Sequence, residues 1–182
     1  MKPSVSQKKT LVLDLDETLV HSSFKPLPDA DLVITLQVEP DRAYNVYVMK
    51  RPGVEMFLRR LSRFYELVVF TASLSKYANP LLDKLDPEGC ISARLFREHC
   101  TCVRGSIYVK DLSYLGRDLK NSIIIDNSPV AYLYQEENAI PITTWYDDKN
   151  DIELYKYLRI LEHLASVSIG LVLSFRSMMC GM

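Results

Sequence analysis

Two aspartates, Asp14 and Asp16, stand at the end of the apolar run Leu11-Val12-Leu13. The run reads as a buried strand. Alternate side chains of a strand share a face, so the two carboxylates are expected to aim the same way. Acids placed side by side without a base repel each other. They are tolerated where a cation lies between them or where one carries a proton. The pair therefore points to a metal site, to acid–base chemistry, or to both. The ordinary alternative is a pair of acids that cap a turn.

Other polar residues fall at comparable places. Leu67-Val68-Val69-Phe70 ends at Thr71, and Ile123-Ile124-Ile125 ends at Asp126. Short continuous runs rich in Val and Ile mark central parallel strands covered on both faces. Ile140-Pro141-Ile142-Thr143 contains a proline and belongs at an edge. Helical patterns lie between the runs. Pro52 opens one in the favoured first-turn position, followed by the stripe Val54, Phe57, Leu58, Leu61 and Phe64. Residues 75–85 read as a second helix and 128–135 as a short third. Asn150 and Asp151 can cap a last one, with Leu154, Leu158, Leu161 and Ala165 on one face. This alternation implies an open α/β sheet with right-handed crossovers. Residues 31–50 alternate about Glu39-Pro40-Asp41-Arg42 and predict a β-hairpin, and 89–109 a small β insertion.

In open α/β sheets ligands bind beyond the carboxyl ends of the strands. Asp14, Asp16, Thr71 and Asp126 all fall there, and Lys110 supplies a cation ahead of the third run. Three carboxylates, a hydroxyl and a lysine suit phosphoryl transfer to an aspartate, assisted by a divalent metal.

Composition narrows the options. A chain of 182 residues fits one compact domain. A net charge of -1 lacks the basic excess of a dedicated nucleic-acid binder, so no direct nucleic-acid contact is expected. Basic residues do gather locally, at Arg94, Arg97, Arg104, Lys110, Arg117 and Lys120. Such a stretch suits an anionic ligand, or is simply a solvated face. Residues 1–10 carry no apolar leader, so the four cysteines are expected to be reduced and the chain intracellular, nuclear or cytoplasmic. His99-Cys100-Thr101-Cys102 has the wrong spacing for a zinc half-site. No run reaches the ~20 apolar residues of a membrane helix. The longest candidate, 167–175, is broken by serines and a glycine.

The motifs carry a resemblance. Asp14-Leu-Asp-Glu-Thr18, Thr71-Ala-Ser, Lys110 and Asp126-Asn127 match the four signature motifs of the haloacid dehalogenase superfamily. The longer stretches Leu-Val-Leu-Asp-Leu-Asp-Glu-Thr-Leu-Val-His, Phe-Thr-Ala-Ser-Leu-Ser-Lys-Tyr-Ala and Ile-Asp-Asn-Ser-Pro resemble the small phosphatases that act on the carboxy-terminal repeats of RNA polymerase II. The similarity defines a single Fcp-homology phosphatase domain over 9–165, flanked by terminal segments 1–8 and 166–182. It implies a haloacid-dehalogenase-like open parallel sheet with helices on both faces, a β-hairpin after the first motif, a small β insertion and no large cap.

The same resemblance implies a magnesium-dependent protein serine/threonine phosphatase. Its substrate would be phosphoserine in those repeats or in a similar Ser-Pro-containing protein. Asp14 would attack phosphorus and become an aspartyl phosphate. Asp16 would protonate the leaving oxygen and then activate water. Thr71 and Lys110 would hold the phosphoryl oxygens, and Thr18 and Arg97 would join the substrate-binding set. Asp126 and Asn127 would complete a metal site with Asp14 and the backbone carbonyl of Asp16. Phe24, Leu36, Val38, Val46 and Leu74 match an apolar pocket for a proline beside the phosphoserine, unless they are ordinary hairpin packing.

Charge favours the metal. Each like-charge pair at ~4 Å costs roughly 4 kcal/mol at an effective dielectric near 20. One lysine does not offset several carboxylates facing a phosphate dianion, whereas Mg²⁺ with oxygen ligands does. Neither residues 17–70 nor 72–109 leave room for a large lid. An open site favours a phosphorylated protein over a small metabolite, and a monomer is expected. Two other readings compete: a non-catalytic binding module, as in import receptors of similar fold, and a small-molecule phosphatase.

Overall fold

The structure, a computed structural model, describes residues 8–39 and 42–166, with 38 and 39 described as backbone only. Residues 1–7 and 167–182, read above as terminal segments, lie outside it, as does the hairpin turn at 40 and 41. The strands are β1 (Lys9–Leu13), β2 (Val20–Ser23), β3 (Leu32–Glu39), β4 (Arg42–Lys50), β5 (Tyr65–Phe70), β6 (Ile91–Leu95), β7 (Thr101–Val103), β8 (Ile107–Val109), β9 (Ser122–Asp126) and β10 (Ala139–Pro141). The α-helices are α1 (Val54–Leu61), α2 (Ser75–Leu85) and α3 (Glu153–Ser166).

Five strands form the central parallel sheet in the order β10-β9-β1-β5-β6. The three apolar runs are its middle, with Leu11 level with both Leu67 and Ile123. Pro141 sits in the edge strand β10, where a missing amide hydrogen costs no ladder bond. Period-2 alternation splits the runs between two cores. Leu11, Leu13, Leu67, Val69, Ile123 and Ile125 join apolar residues of α1, α2 and α3 in one cluster. Val12, Val68, Phe70 and Ile124 face the other way and are covered by 3-10 turns at Leu112–Leu115 and Pro129–Tyr132. Both faces are thus covered, but the long helices serve only one. Short turns bring polar loop residues close to the sheet on the other.

Several local expectations change. Residues 91–95 are not part of a separate insertion. They pair with β5 and complete the main sheet, leaving only the β7–β8 ribbon as the insertion. The hairpin β3–β4 gains a third strand, β2, giving the order β2-β4-β3. The expected helix over 128–135 is a single 3-10 turn at Pro129–Tyr132. Pro52 lies one position before the cap of α1 rather than in its first turn, because Gly53 takes φ +84° there. That glycine also lies under the Tyr155 ring, which would come within 3 Å of any added Cβ. The helix ends at Leu61, so Phe64 leaves the apolar stripe and is exposed. At the last helix Asp151, not Asn150, accepts the Glu153 amide. Among the described residues no helix is long and apolar enough to cross a membrane.

Candidate active site

Parallel strands all present their carboxyl ends at one rim, and the expected residues meet there. Asp14 directly follows β1, Thr71 directly follows β5, and Asp126 closes β9. Asp14 is locked to the neighbouring strand by its amide, which donates to the Ile125 carbonyl at 3.0 Å.

Lys110 leaves β8 and is buried between two acids. Its Nζ donates to Asp14 Oδ1 at 2.5 Å and to Asp126 Oδ2 at 2.6 Å. Its own amide donates to the Ala131 carbonyl, which ties it to the turn following Asp126. Burial would push this ammonium down, but the two facing carboxylates outweigh it and the net direction is upward. Lys110 therefore stays charged. Burial pushes the Asp126 carboxyl up to about 6 against the pull of Lys110. Asp126 Oδ1 also accepts the Ser128 amide.

The second oxygen of Asp14 accepts from Thr18 Oγ1 at 2.8 Å, and Asn127 Oδ1 lies 3.3 Å from the same hydroxyl. Asn127 Nδ2 donates to Thr144, so its oxygen is the atom turned toward Thr18 and Asp14. Thr18 is wholly buried. It is placed by a tight turn in which Glu17 adopts φ 56° and the Thr18, Leu19 and Val20 amides converge on the Leu15 carbonyl.

Asp16 has different partners. The paired part of β1 ends at Leu13, and the Asp16 carboxylate meets other groups than Asp14 does. Asp16 Oδ2 accepts from Ser73 Oγ at 2.7 Å and lies 3.4 Å from Thr71 Oγ1. Its Oδ1 accepts from the Tyr77 hydroxyl at 2.6 Å. Burial pushes Asp16 above the usual carboxylate range. The bonds from Tyr77 and Ser73 oppose this, and the charge on Asp14 adds to it. Asp14 and Asp16 thus occupy different environments, one facing an ammonium and one facing only hydroxyls.

Among the described residues no three His, Cys, Asp or Glu side chains form a ready metal cage. Asp14, Asp126, the oxygen of Asn127 and a backbone carbonyl form a different kind of donor set, all oxygen. Two carboxylates and an amide oxygen are hard donors, and such a set fits a hard divalent cation.

The wider set divides. Arg97 lies beside the Thr71 loop, with Nε donating to the Ala72 carbonyl at 2.6 Å and the guanidinium 5.0 Å from the Tyr108 ring centroid. The positive stretch does not act as one surface, because Arg94 pairs with Asp83 and Arg117 with Glu66. Of the apolar set, Phe24 and Leu74 are exposed at 69% and 53%. Val46 is buried in the main core, and Leu36 is half-buried and packs against that core. The Val38 side chain lies outside those described.

Three important residues had no role assigned from the sequence. Ser73 and Tyr77 lie within a quoted stretch, and the spacing of Thr71 and Ser73 was the available signal. Arg51 had none. It is buried, binds Asp151 through both Nε and Nη2 at 2.8 Å, and donates to the carbonyls of Thr18 and Thr143. It thereby joins the turn that holds Thr18 to the start of α3.

Comparison with known proteins gives concordant findings. Residues 9–170 match the family model described as NLI interacting factor-like phosphatase. A probable C-terminal domain small phosphatase of Dictyostelium discoideum is 57% identical over 159 residues, covering 87% of this chain and 51% of that protein. The human carboxy-terminal domain RNA polymerase II polypeptide A small phosphatase 1 is 50% identical over 166 residues, covering 91% of this chain and 63% of that protein. The chain thus spans only part of the curated relatives it matches, about half of the first. Among solved structures, the fission yeast RNA polymerase II CTD phosphatase Fcp1 bound to beryllium fluoride superposes with a TM-score of 0.64. It is 20% identical and covers 87% of this chain and 50% of that one, a likeness of fold.

Proposed function

The chain belongs to the NLI interacting factor-like phosphatase family, and from that premise we propose that it is a magnesium-dependent protein serine/threonine phosphatase working through an aspartyl phosphate. The observation that carries this reading is the unequal treatment of the two acids. Asp14 is fixed by Lys110 on one oxygen and Thr18 on the other, so its carboxylate is aimed. Asp16, raised by burial and facing hydroxyls, is suited to carry a proton.

In this reading Asp14 attacks phosphorus as the ester bond breaks, and Asp16 delivers its proton to the departing oxygen. Asp16 then takes a proton from the water that attacks the aspartyl phosphate, which restores both carboxyls. Lys110 and Thr71 face the phosphoryl oxygens. Magnesium, held by Asp14, Asp126, Asn127 and the Asp16 carbonyl, would supply charge neutralisation for the incoming phosphate. The substrate would be a phosphoserine beside proline, as in the carboxy-terminal repeats of RNA polymerase II or a similar protein.

A panel of phosphopeptides assayed with and without Mg²⁺ tests the proposal. Chelation should silence turnover and Mg²⁺ should restore it. Asp126→Ala should weaken the apparent metal affinity at least tenfold. An unchanged metal requirement in that variant would exclude the ligand set.

Substrate choice gives a second test. Phe24 is 69% exposed, so truncating it removes little core contact. Burying a proline-sized group is worth about 1–3 kcal/mol. Phe24→Ala should therefore raise KM for a Ser-Pro phosphopeptide about tenfold, while aryl-phosphate turnover and melting temperature stay nearly constant. Equal losses on both substrates would remove Phe24 from peptide recognition.

A further inference from the structure

Asp16 is held from two sides by groups of different kinds. Ser73 and Thr71 offer small hydroxyls to Oδ2, which can turn either to donate or to accept. Tyr77 offers a phenol to Oδ1 at 2.6 Å. Tyr77 stands in the first turn of α2 with its ring packed against the main core, so the position of its hydroxyl is set by the fold. The same hydroxyl lies 2.5 Å from Ser22 Oγ on β2. A phenol has one proton, and a carboxylate is the stronger acceptor. Tyr77 therefore donates to Asp16, and the Ser22 hydroxyl donates to Tyr77.

We propose that Tyr77, oriented by Ser22, is a positioning residue that anchors Asp16 Oδ1 and thereby reserves Oδ2 as the oxygen that carries the transferred proton. This rests on the acid–base role of Asp16 proposed above. When Asp16 is protonated on Oδ2, the bond from Tyr77 to Oδ1 persists, and the Ser73 hydroxyl, the nearer of the two, turns to accept the new proton. Oδ2 also lies on the side of Thr71, at the end of β5, where the phosphoryl group is to be held. The proton leaves Oδ2 for the departing oxygen as the ester bond breaks. A proton from the attacking water returns to Oδ2 in the second step. Tyr77 itself neither gains nor loses a proton.

The test uses a series of small aryl phosphates with progressively poorer leaving groups, none of them carrying a peptide. The value of kcat/KM reports the first phosphoryl transfer, where the leaving group needs its proton. Tyr77→Phe keeps the ring and removes the donor. It should steepen the dependence on leaving-group acidity, with a loss of about tenfold on the poorest leaving group and under about threefold on the best. Ser22→Ala should steepen it less. Asp16→Asn, measured alongside, separates the two claims. If Asp16→Asn leaves the slope unchanged, the general-acid reading itself fails. If Asp16→Asn steepens the slope and Tyr77→Phe lowers every substrate equally or none, Tyr77 does not position the acid and the inference is overturned. A loss in Tyr77→Phe confined to KM likewise assigns the phenol to substrate contact and overturns it.

Discussion

Asp14→Asn is expected to abolish turnover, by about four orders of magnitude or more, in a protein that still folds. The substitution nearly preserves shape. The amide oxygen can keep the Thr18 bond or face Lys110, but it cannot attack phosphorus and form a stable acyl phosphate. Lys110 keeps Asp126 at 2.6 Å as its second counterion, so the buried ammonium is not left alone. A thermal melt and a phosphopeptide assay on the same preparation check both halves. Retention of more than a few per cent of the magnesium-dependent rate would take the nucleophile's role away from Asp14. A collapse of the fold would instead mark the residue as structural.

The next largest effect should come from Arg51, which touches no substrate in this scheme. Its side chain is fully buried against Asp151, which is 11% exposed. Removing one member of such a pair leaves a buried charge and the carbonyls of Thr18 and Thr143 without their donor. The expected cost for Arg51→Leu is about 3–5 kcal/mol, a fall in melting temperature on the order of 10 °C. Asp151→Leu should cost a comparable amount. The double variant should be more stable than the sum of the two predicts, because apolar replacements remove both charges together. Strict additivity would mean that the pair is not coupled as its geometry implies. Activity should fall with stability, since the Thr18 turn loses its tie to α3.

These two residues also show what the sequence can and cannot reveal. Asp14, Asp16, Thr71 and Asp126 are legible because each interrupts or follows an apolar run, and parallel strands bring such ends to one rim. Arg51 is not legible. Its partner lies 100 positions away, and the fold alone pairs them. Tyr77 reads as one more packing aromatic until the fold brings Asp16 and Ser22 of β2 within reach of its hydroxyl. The errors in the fold have the same origin. Ile91-Ser-Ala-Arg-Leu is too polar to look like a strand of the main sheet, but an edge position tolerates such a pattern. Residues 128–135 look helical in composition, yet they form one 3-10 turn at Pro129–Tyr132 before the chain returns to β10. The resemblance groups Val46 with Phe24, and the fold buries Val46 in the main core.

The strand order has a consequence for how the chain comes to exist at all. β1 precedes the other described strands in sequence and is also the middle of the sheet, flanked by β5 and β9. A growing chain therefore exposes Leu11-Val12-Leu13 with both edges unpaired until residues 65–70 appear. One edge stays open until 122–126 follow. Closing non-local parallel pairs is slow, and unpaired apolar edges are where association with other chains begins. Asp14 is equally early and its counter-charge equally late, since Lys110 follows 96 residues after it and the second Lys110 partner, Asp126, later still. Nascent fragments that stop before them would carry Asp14 and Asp16 with no ammonium nearby. Such fragments should be both inactive and prone to aggregate, and the domain should gain solubility and phosphatase competence together when β9 docks.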